Sequence, residues 1–213
     1  MTHWLLHDSS VSTVVRASRR AAALRFCLTV VASLALLSEN AFAHTGAGSI
    51  HGFTAGFVHP FLGPDHLLTM LAVGVWAAAL GGRALLLVPL SFVTVMAVGA
   101  GLQHFGLVLP SAEMAVALSV AVMGLIFVVN WRAGCGLAGA LAAGFALFHG
   151  YVHAEEIGRD MGAFHYAGGF LIATAVLHGL GMLLGAAVGN LDLLRRALGA
   201  FCAGVGVYLL VGS

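Results

Sequence analysis

The chain has 213 residues, of which 61% are hydrophobic and only 8% are charged, and its formal net charge is +1. A soluble globular domain carries about 25% charged residues, so this composition excludes a mostly water-exposed surface and requires lipid as the main solvent. The near-neutral charge gives no support for nucleic acid as a partner. The 11 histidines are the most informative bias, because the chain has few other polar side chains.

The first 43 residues have the pattern of a secretory signal peptide. Arginines precede an apolar run over 26–37, and the segment ends in Ala41-Phe42-Ala43. A basic region, a short apolar core and an A-x-A site are typical of a signal that is cleaved during export, and the core is shorter than the roughly 20 residues of a span. We therefore predict a signal peptide over 1–43 and a mature domain over 44–213.

Apolar segments that could span a membrane follow over 50–80, 84–108, 111–130, 135–153, 164–188 and 192–212. Each is close to the length of a membrane-spanning helix, so we predict an all-α polytopic membrane protein with six transmembrane helices. With an exported N-terminus, the cytoplasmic loops hold Arg83, Arg132, Arg195 and Arg196. The opposite loops hold only Arg159. This asymmetry follows the positive-inside rule and predicts that both mature termini lie outside the cytoplasm.

Histidines and carboxylates concentrate toward the extracytoplasmic side of these predicted spans. They are His44, His51, His59, His66, His104, His149, His153 and His165, with Asp65, Glu113, Glu155, Glu156 and Asp160. Intramembrane ionisable residues are costly and usually functional, and imidazole with carboxylate suits Ni²⁺, Co²⁺, Zn²⁺ or Cu²⁺. Helix capping or hydrogen bonding among headgroups explains His44, His51, His104 and His165 as well as ligation does. His178, near mid-span, fits a packed, hydrogen-bonded interior histidine equally well.

The stretch HPFLGPDH, over 59–66, is the first group with metal-ligand character. Its prolines remove backbone donors, so we expect the first transmembrane helix to be broken at His59–Pro64 and to resume with Asp65 and His66. Transporters use such broken helices to hold ions near the middle of the membrane. The predicted ligands are His59, Asp65 and His66. Met70, one turn after His66, is a packing residue or an additional ligand.

The stretch FHGYVHAEEI, over 148–157, is the second group. His149 and His153 are four residues apart and Glu156 is two turns from His149, so all three lie on one helix face, whereas Glu155 points elsewhere. Two imidazoles and a carboxylate on one face can hold a divalent metal. The Gly-Ala-rich stretches 134–144 and 199–212 predict close contacts between helices.

The segment HPFLGPDHLLTMLAVGVWA, over 59–77, resembles the signature of the HupE/UreJ family of nickel and cobalt permeases, H-P-x-x-G-x-D-H-x-x-x-M-x-A-V-G. The matching residues are His59, Pro60, Gly63, Asp65, His66, Met70, Ala72, Val73 and Gly74. Phe148–Glu156 is similar to a second family motif, F-H-G-x-x-H-G-x-E, and departs from it at Ala154. Glu113, early in the third predicted span, matches a family acid.

The resemblance implies a six-span permease of the bacterial inner membrane, with periplasmic termini, that imports Ni²⁺, or alternatively Co²⁺, for hydrogenase or urease. The metal is cargo rather than a cofactor, and the lipid bilayer is the other partner. His44, His51 and Glu113 are further ligand candidates or hydrogen-bond partners of the ligands, and a homo-oligomer remains open. We do not expect an enzyme: a P-loop needs lysine, and all nine basic residues are arginine.

Alternative functions remain open from the residues themselves. An intramembrane zinc-dependent hydrolase could use a histidine and carboxylate pocket to activate water, although the chain lacks an H-E-x-x-H motif. A haem protein could use His149 or His178 as axial ligands. A membrane protein that binds metal without transporting it would need the same ligand set.

Overall fold

The computed structural model describes residues 52–157, 162–188 and 191–212. Within these ranges the regular elements are helices: α1 Phe53–Leu62, α2 Pro64–Leu80, α3 Ala84–His104, α4 Ala112–Val129, α5 Cys135–Ile157, α6 Ala163–Val188 and α7 Asp192–Gly212. The predicted all-α fold class is confirmed for this part of the chain. The predicted signal peptide over 1–43, together with His44 and His51, lies outside the described residues.

Most of these helices are long and apolar enough to cross a membrane, as expected for a multi-pass membrane protein. The 5 candidate spans lie in α3, α4, α5, α6 and α7. The short helices α1 and α2 meet the same criteria only as a pair, bent by 85°, so the first of the six predicted spans depends on whether the pair crosses the membrane together. The second predicted span is shorter than expected and ends at His104, because Gly106 takes a φ of 77°.

The break in the first predicted span is narrower than we expected from the sequence. We predicted an irregular backbone from His59 to Pro64, and this was wrong in extent, because α1 continues through Pro60 to Leu62. Only Gly63 is extended, with φ −85° and ψ 120°. A residue before proline avoids the helical region, and Pro64 then starts α2 at a position where its missing N–H costs nothing. Pro60 is instead accommodated in α1, where it is buried.

The helix bundle has two ends, which we name by the residues found there. The histidine end carries His66, Glu113 and His153. The arginine end carries Arg83, Arg132 and Arg195. Helices α2, α4 and α6 start at the histidine end, whereas α3, α5 and α7 start at the arginine end. The sidedness of histidine and arginine that the sequence indicated is therefore present in the fold.

The most extensive helix contacts join α3 to α5, α4 to α7 and α2 to α6. The contact of α2 with α6 depends on glycine. A Cβ on Gly74 would overlap the carbonyl oxygen of His178, and a Cβ on Gly181 would overlap that of Leu71. Small residues that let two backbones approach are the usual packing device of membrane helices.

The same arrangement recurs where α5 packs on α3. A Cβ on Gly150 would overlap the carbonyl oxygen of Met96, and a Cβ on Gly99 would overlap that of Leu147. In both contacts, the glycine of each helix therefore packs against a carbonyl group of the other helix. That carbonyl lies three residues before the glycine of its own helix. The counterparts are Leu71 and Leu147, Gly74 and Gly150, His178 and Met96, and Gly181 and Gly99.

The helices α4 and α7 are counterparts of each other, so the contact between them is formed by equivalent residues on both sides. A Cβ on Gly124 would overlap the backbone nitrogen of Ala203, and a Cβ on Gly206 would overlap that of Ala121. Gly124 and Gly206 are separated by the same number of residues as Ala121 and Ala203. The counterparts Met96 of α3 and His178 of α6 have this separation as well. The halves α2–α4 and α5–α7 are therefore related by an approximate twofold axis. Since α2 and α5 run in opposite directions, the two halves form an inverted repeat.

Candidate functional site

Histidines from three helices meet at the histidine end. The ring centroid of His66 lies 4.0 Å from that of His153 and 4.8 Å from that of His149. His59 of α1 lies 4.7 Å from His153 and 6.4 Å from His66, again between ring centroids. The two groups of the sequence analysis, from α1–α2 and from α5, are thus brought together. We call His59, His66, His149 and His153 the histidine cluster.

The histidine cluster lies inside the protein rather than on its surface. His66, His149 and His153 are 5%, 0% and 3% exposed, and His59 is half-buried. Aromatic side chains of α6 close one side of the cluster, with the ring of Phe170 centred 4.1 Å from that of His153. Buried imidazoles at this density are unusual for a purely structural core, because each ring brings a donor and an acceptor that need partners.

Asp65 sets the orientation of His66. Its Oδ1 lies 2.7 Å from Nδ1 of His66 and accepts the backbone N–H of His66 at 2.9 Å. A carboxylate at Nδ1 keeps the proton there and leaves Nε2 as the acceptor, which is how carboxylates orient histidine ligands of metals. Nε2 of His66 is buried and has no hydrogen-bond partner among the described residues.

Ser119 of α4, which the sequence analysis did not single out, sets the orientation of His149. Its Oγ donates to the carbonyl oxygen of Val116 at 2.6 Å and lies 2.9 Å from Nε2 of His149. Since the single hydroxyl proton goes to Val116, Nε2 of His149 must be the donor to Oγ. Nδ1 of His149 is then an acceptor, and it is buried without a hydrogen-bond partner in the described part of the chain. The Oγ1 of Thr69 lies 3.2 Å from Oγ of Ser119 and forms a hydrogen bond with it.

Glu113 lies apart from the histidine cluster, on the wall of an open cavity of about 490 Å³ at the histidine end. Asp65 and His66 line the same cavity, together with the last residues of α7, from Tyr208 onward. Glu113 is exposed, and Asp65 keeps 25% of its side chain exposed. The cavity therefore leads from a surface carboxylate to the edge of the histidine cluster.

The remaining predicted site residues have other surroundings. Met70 is fully buried, and its Sδ lies 3.3 Å from Oγ1 of Thr174, so it packs below the cluster. His178 is deeper still, with its ring centroid 5.1 Å from that of Phe92. Neither ring nitrogen of His178 has a hydrogen-bond partner among the described residues, so the expected hydrogen bond is not found. The backbone of Glu156 belongs to α5, whereas its side chain is outside what the structure describes.

The cluster does not form a closed coordination sphere as it stands. Among the described residues, no three His, Cys, Asp or Glu side chains are placed so that they could hold a metal ion together. Nδ1 of His66 is engaged by Asp65 and Nε2 of His149 by Ser119, which leaves one acceptor on each ring. Coordination by the cluster would therefore need a rearrangement that brings these acceptor atoms together.

Comparisons with known proteins agree with the two motifs. The model of the family described as HupE / UreJ protein matches residues 31–209. Protein HupE of Rhizobium leguminosarum bv. viciae is 43% identical over 186 residues, which cover 86% of this chain and 96% of that protein. No solved structure matches the chain. The resemblance seen in the sequence is confirmed, and the chain belongs to the HupE/UreJ family.

Proposed function

We propose that this chain is a permease that imports Ni²⁺, or alternatively Co²⁺, across the bacterial inner membrane for use by hydrogenase or urease. Membership of the HupE/UreJ family supports a transport-related role with nickel or cobalt, and the members of this family are permease-like transporters rather than enzymes. The observation that carries the proposal is the meeting of four imidazoles and the Asp65 carboxylate within a bundle of membrane-spanning helices.

The chemistry of the cluster suits a borderline divalent ion. Imidazole nitrogen with carboxylate oxygen is a common donor set for Ni²⁺, Co²⁺ and Zn²⁺. Nε2 of His66 and Nδ1 of His149 are buried acceptors, and each is oriented by a hydrogen bond at the other ring nitrogen. A permease also has to release its ion, which favours a few weak ligands over a closed cage. The cluster has this character, since its acceptor atoms have to move together to bind an ion.

The entry route in this proposal is the cavity at the histidine end. Glu113 places a carboxylate at the exposed wall, and Asp65 and His66 form the inner wall. A cation entering the cavity therefore meets negative charge first and imidazole next. The arginines at the opposite end support a cytoplasmic location for that end by the positive-inside rule, so the histidine end faces the periplasm in this proposal.

His44, His51 and Glu156 complete the proposed ligand set. Glu156 follows His153 on α5, and its sequence position puts it on the same helix face as His149. We propose that it supplies a second carboxylate during binding. His44 and His51 precede α1 and are proposed to bind the ion first, before it reaches the cavity.

The test is uptake of radioactive nickel at sub-micromolar concentration by cells that lack their own nickel importers. We expect the intact protein to import nickel, and Asp65→Asn, His66→Ala and His149→Ala to abolish uptake at matched membrane levels. Asp65→Asn keeps the shape of the side chain but can donate to Nδ1 of His66, which puts the proton on the wrong nitrogen. His165→Ala is the matched control, because His165 is exposed at the same end and its loss should leave uptake unchanged.

Other results would point to the alternative functions. Competition with cobalt, zinc and copper ranks the metals, and a cobalt preference would replace nickel as the cargo. If the purified protein binds nickel but neither cells nor reconstituted vesicles accumulate it, the transport proposal is wrong and a metal-binding protein remains. A Soret band in the purified protein would instead identify a haem protein.

A further inference from the structure

We propose that the ion leaves the histidine cluster through a second cavity at the arginine end, which is closed in this structure and is the counterpart of the open cavity at the histidine end. The inverted repeat gives the location of this exit cavity, and its lining residues follow from the correspondence between the two halves. The nature of the ion rests on the proposed function, whereas the exit cavity itself rests on the fold.

The correspondence identifies the wall of the exit cavity residue by residue. Glu113 of α4 and Arg195 of α7 are counterparts, because they are separated by the same number of residues as Gly124 and Gly206. A residue of α2 and a residue of α5 are counterparts when they have the same separation as Gly74 and Gly150. Applied to the open cavity, the repeat pairs His66 with Ala142, Glu113 with Arg195, Ala117 with Gly199, and Val152 with Trp76.

The two ends differ in exposure at their outer positions. Tyr208 of the open cavity is 78% exposed, whereas its counterpart Ile126 is 4% exposed, and Arg195, the counterpart of Glu113, is 9% exposed. At the histidine end Glu113 is exposed and, with the end of α7, faces the open cavity. The two halves therefore have similar helix pairings but different states at their outer ends, which is what one conformation of an alternating-access transporter shows.

Arg195 holds α4 and α7 together at the arginine end. Its Nη1 donates to the carbonyl oxygen of Phe127 in the last turn of α4, and its Nη2 lies 3.0 Å from Oδ1 of Asp192. A Cβ on Gly199 would lie 2.8 Å from Cβ of Phe127, so the two helices are in direct contact here. A buried guanidinium in this position also repels a cation, so Arg195 opposes its exit sterically and electrostatically.

Trp76 closes the same region from α2. Its Nε1 donates to the carbonyl oxygen of Trp131 at 3.1 Å, and the two rings stack with centroids 5.9 Å apart. The counterpart of Trp76 at the histidine end is Val152, a much smaller side chain that lines the open cavity. Opening of the exit cavity therefore requires the Trp76–Trp131 and Arg195–Phe127 hydrogen bonds to break.

The distribution of ligands agrees with a single site that is reached from either end in turn. The counterpart of His66 is Ala142, so the arginine end has no second imidazole at that position. The ion would then stay at the histidine cluster while access to it changes, as expected when two states of one protein share one binding site. A second ligand cluster is not needed on the exit side.

The test uses cysteine accessibility, which does not depend on nickel. In a variant whose three native cysteines are replaced by serine, Ala142→Cys reports on the exit cavity, and Ala84→Cys, which is buried at the same end but belongs to α3, outside the cavity wall, reports on general loosening. A membrane-impermeant maleimide is applied to oriented vesicles from each side. Arg195→Met and, separately, Trp76→Phe remove one closing hydrogen bond each. Arg196→Met is the matched control, since Arg196 is exposed.

We expect Arg195→Met to raise the labelling rate of Ala142→Cys about tenfold, because a hydrogen bond from a charged group is lost from the closed state only. The increase should occur only with reagent on the arginine side, should be smaller for Trp76→Phe, and should be absent for Arg196→Met and for Ala84→Cys. Labelling that is unchanged in both closing variants, or that rises equally at Ala84→Cys, would overturn the exit cavity. The expected labelling in a protein that imports no nickel would support the cavity and contradict the nickel proposal.

Discussion

Ser119 decides which nitrogen of His149 can act as a ligand. The hydroxyl proton of Ser119 goes to the carbonyl oxygen of Val116, so the imidazole of His149 has to donate from Nε2 and accept at Nδ1. Asp65 acts on His66 in the opposite sense, because it binds Nδ1 and leaves Nε2 as the acceptor. The two neighbouring rings are therefore fixed in different tautomers by different partners.

A Ser119→Ala variant tests this positioning role. It removes the acceptor for Nε2–H of His149, so the ring can adopt the other tautomer and its Nδ1 is no longer held as an acceptor. Loss of such a partner weakens metal binding by about 10- to 100-fold, so we expect the KM for nickel uptake to rise by about tenfold or more at unchanged maximal rate. Initial uptake rates over a range of nickel concentrations measure this.

The matched control is Ser91→Ala. Ser91 is also an intramembrane serine that donates to a carbonyl three residues earlier, that of Val88 at 2.8 Å, but it lies in α3 away from the cluster. Restoration of normal uptake by Ser119→Thr would support a hydroxyl at this position. A KM that rises equally in Ser91→Ala would show that the effect comes from helix packing and not from His149.

The ligand candidates could be predicted from the sequence, but the positioning role of Ser119 could not. His59, Asp65 and His66 share one short motif, and His149 with His153 share another, so their spacing indicates a common site. Ser119 stands alone in an apolar helix, and its role depends on the packing of α4 against α5, which spacing along one chain segment does not contain. The side chain of Met70 illustrates the converse, because its place in the motif does not distinguish a ligand from a packing residue.

Gly63 links the two short helices α1 and α2 at the element scale. It takes an extended conformation between them, and they meet at 85°. A Cβ on Gly63 would lie 2.8 Å from Oδ1 of Asp65 and 2.9 Å from Nδ1 of His66. The glycine is therefore needed for its lack of a side chain beside the Asp65–His66 hydrogen bond, and its φ of −85° is open to any residue.

We predict that Gly63→Ala impairs uptake without preventing folding. The added methyl group has to displace Asp65 or the imidazole of His66, so the carboxylate no longer orients the ring, and nickel affinity should fall by about 10- to 100-fold. Titration of the purified protein with nickel, together with its thermal unfolding, separates affinity from stability. Gly101→Ala, in α3 with no atom within 4 Å of the added Cβ, should retain normal affinity. Unaltered nickel binding by Gly63→Ala would contradict this role.

The broken span shows which part of an element can be predicted from sequence. Two prolines and a glycine within a few residues correctly predict a break before Asp65 and His66. Their number does not give its extent, because a buried Pro60 can remain inside α1 when tertiary packing offsets its missing hydrogen bond. The pre-proline restriction at Gly63 is the local effect that decides the position.

At the scale of the whole molecule, glycine positions define how the halves pack. From the Gly-Ala-rich composition we expected tight contacts over 134–144 and 199–212. The expectation was wrong for Gly134, Gly136 and Gly144 of the first stretch and for Gly204 and Gly212 of the second, which have no atom within 4 Å of an added Cβ. It holds for Gly199 and Gly206. Composition marks a stretch as able to pack closely, but the partner helix decides which glycine is used, and the inverted pairing of α2–α4 with α5–α7 is not visible in composition.

Two glycines of α7 allow this packing to be tested within one helix. Gly206→Ala introduces a Cβ against the backbone of Ala121, whereas Gly204→Ala adds one where no atom lies within 4 Å. Overpacking costs about 1–3 kcal/mol, while alanine in place of glycine in an open helix position gains about 0.5–1 kcal/mol. We therefore expect Gly206→Ala to lower the thermal unfolding midpoint of the purified protein and Gly204→Ala to leave it unchanged or raise it.

The inverted repeat extends this prediction to the other half of the molecule. Gly124 is the counterpart of Gly206, and its Cβ would overlap the backbone of Ala203 just as that of Gly206 overlaps Ala121. Gly124→Ala should therefore destabilise the protein by a similar amount. Because both substitutions push apart the same pair of helices, α4 and α7, the double variant should lose less than the sum of the two single losses, since neighbouring sites are not additive. Equal stability of Gly206→Ala and Gly204→Ala, or a neutral Gly124→Ala, would contradict the close α4–α7 contact on which the repeat depends.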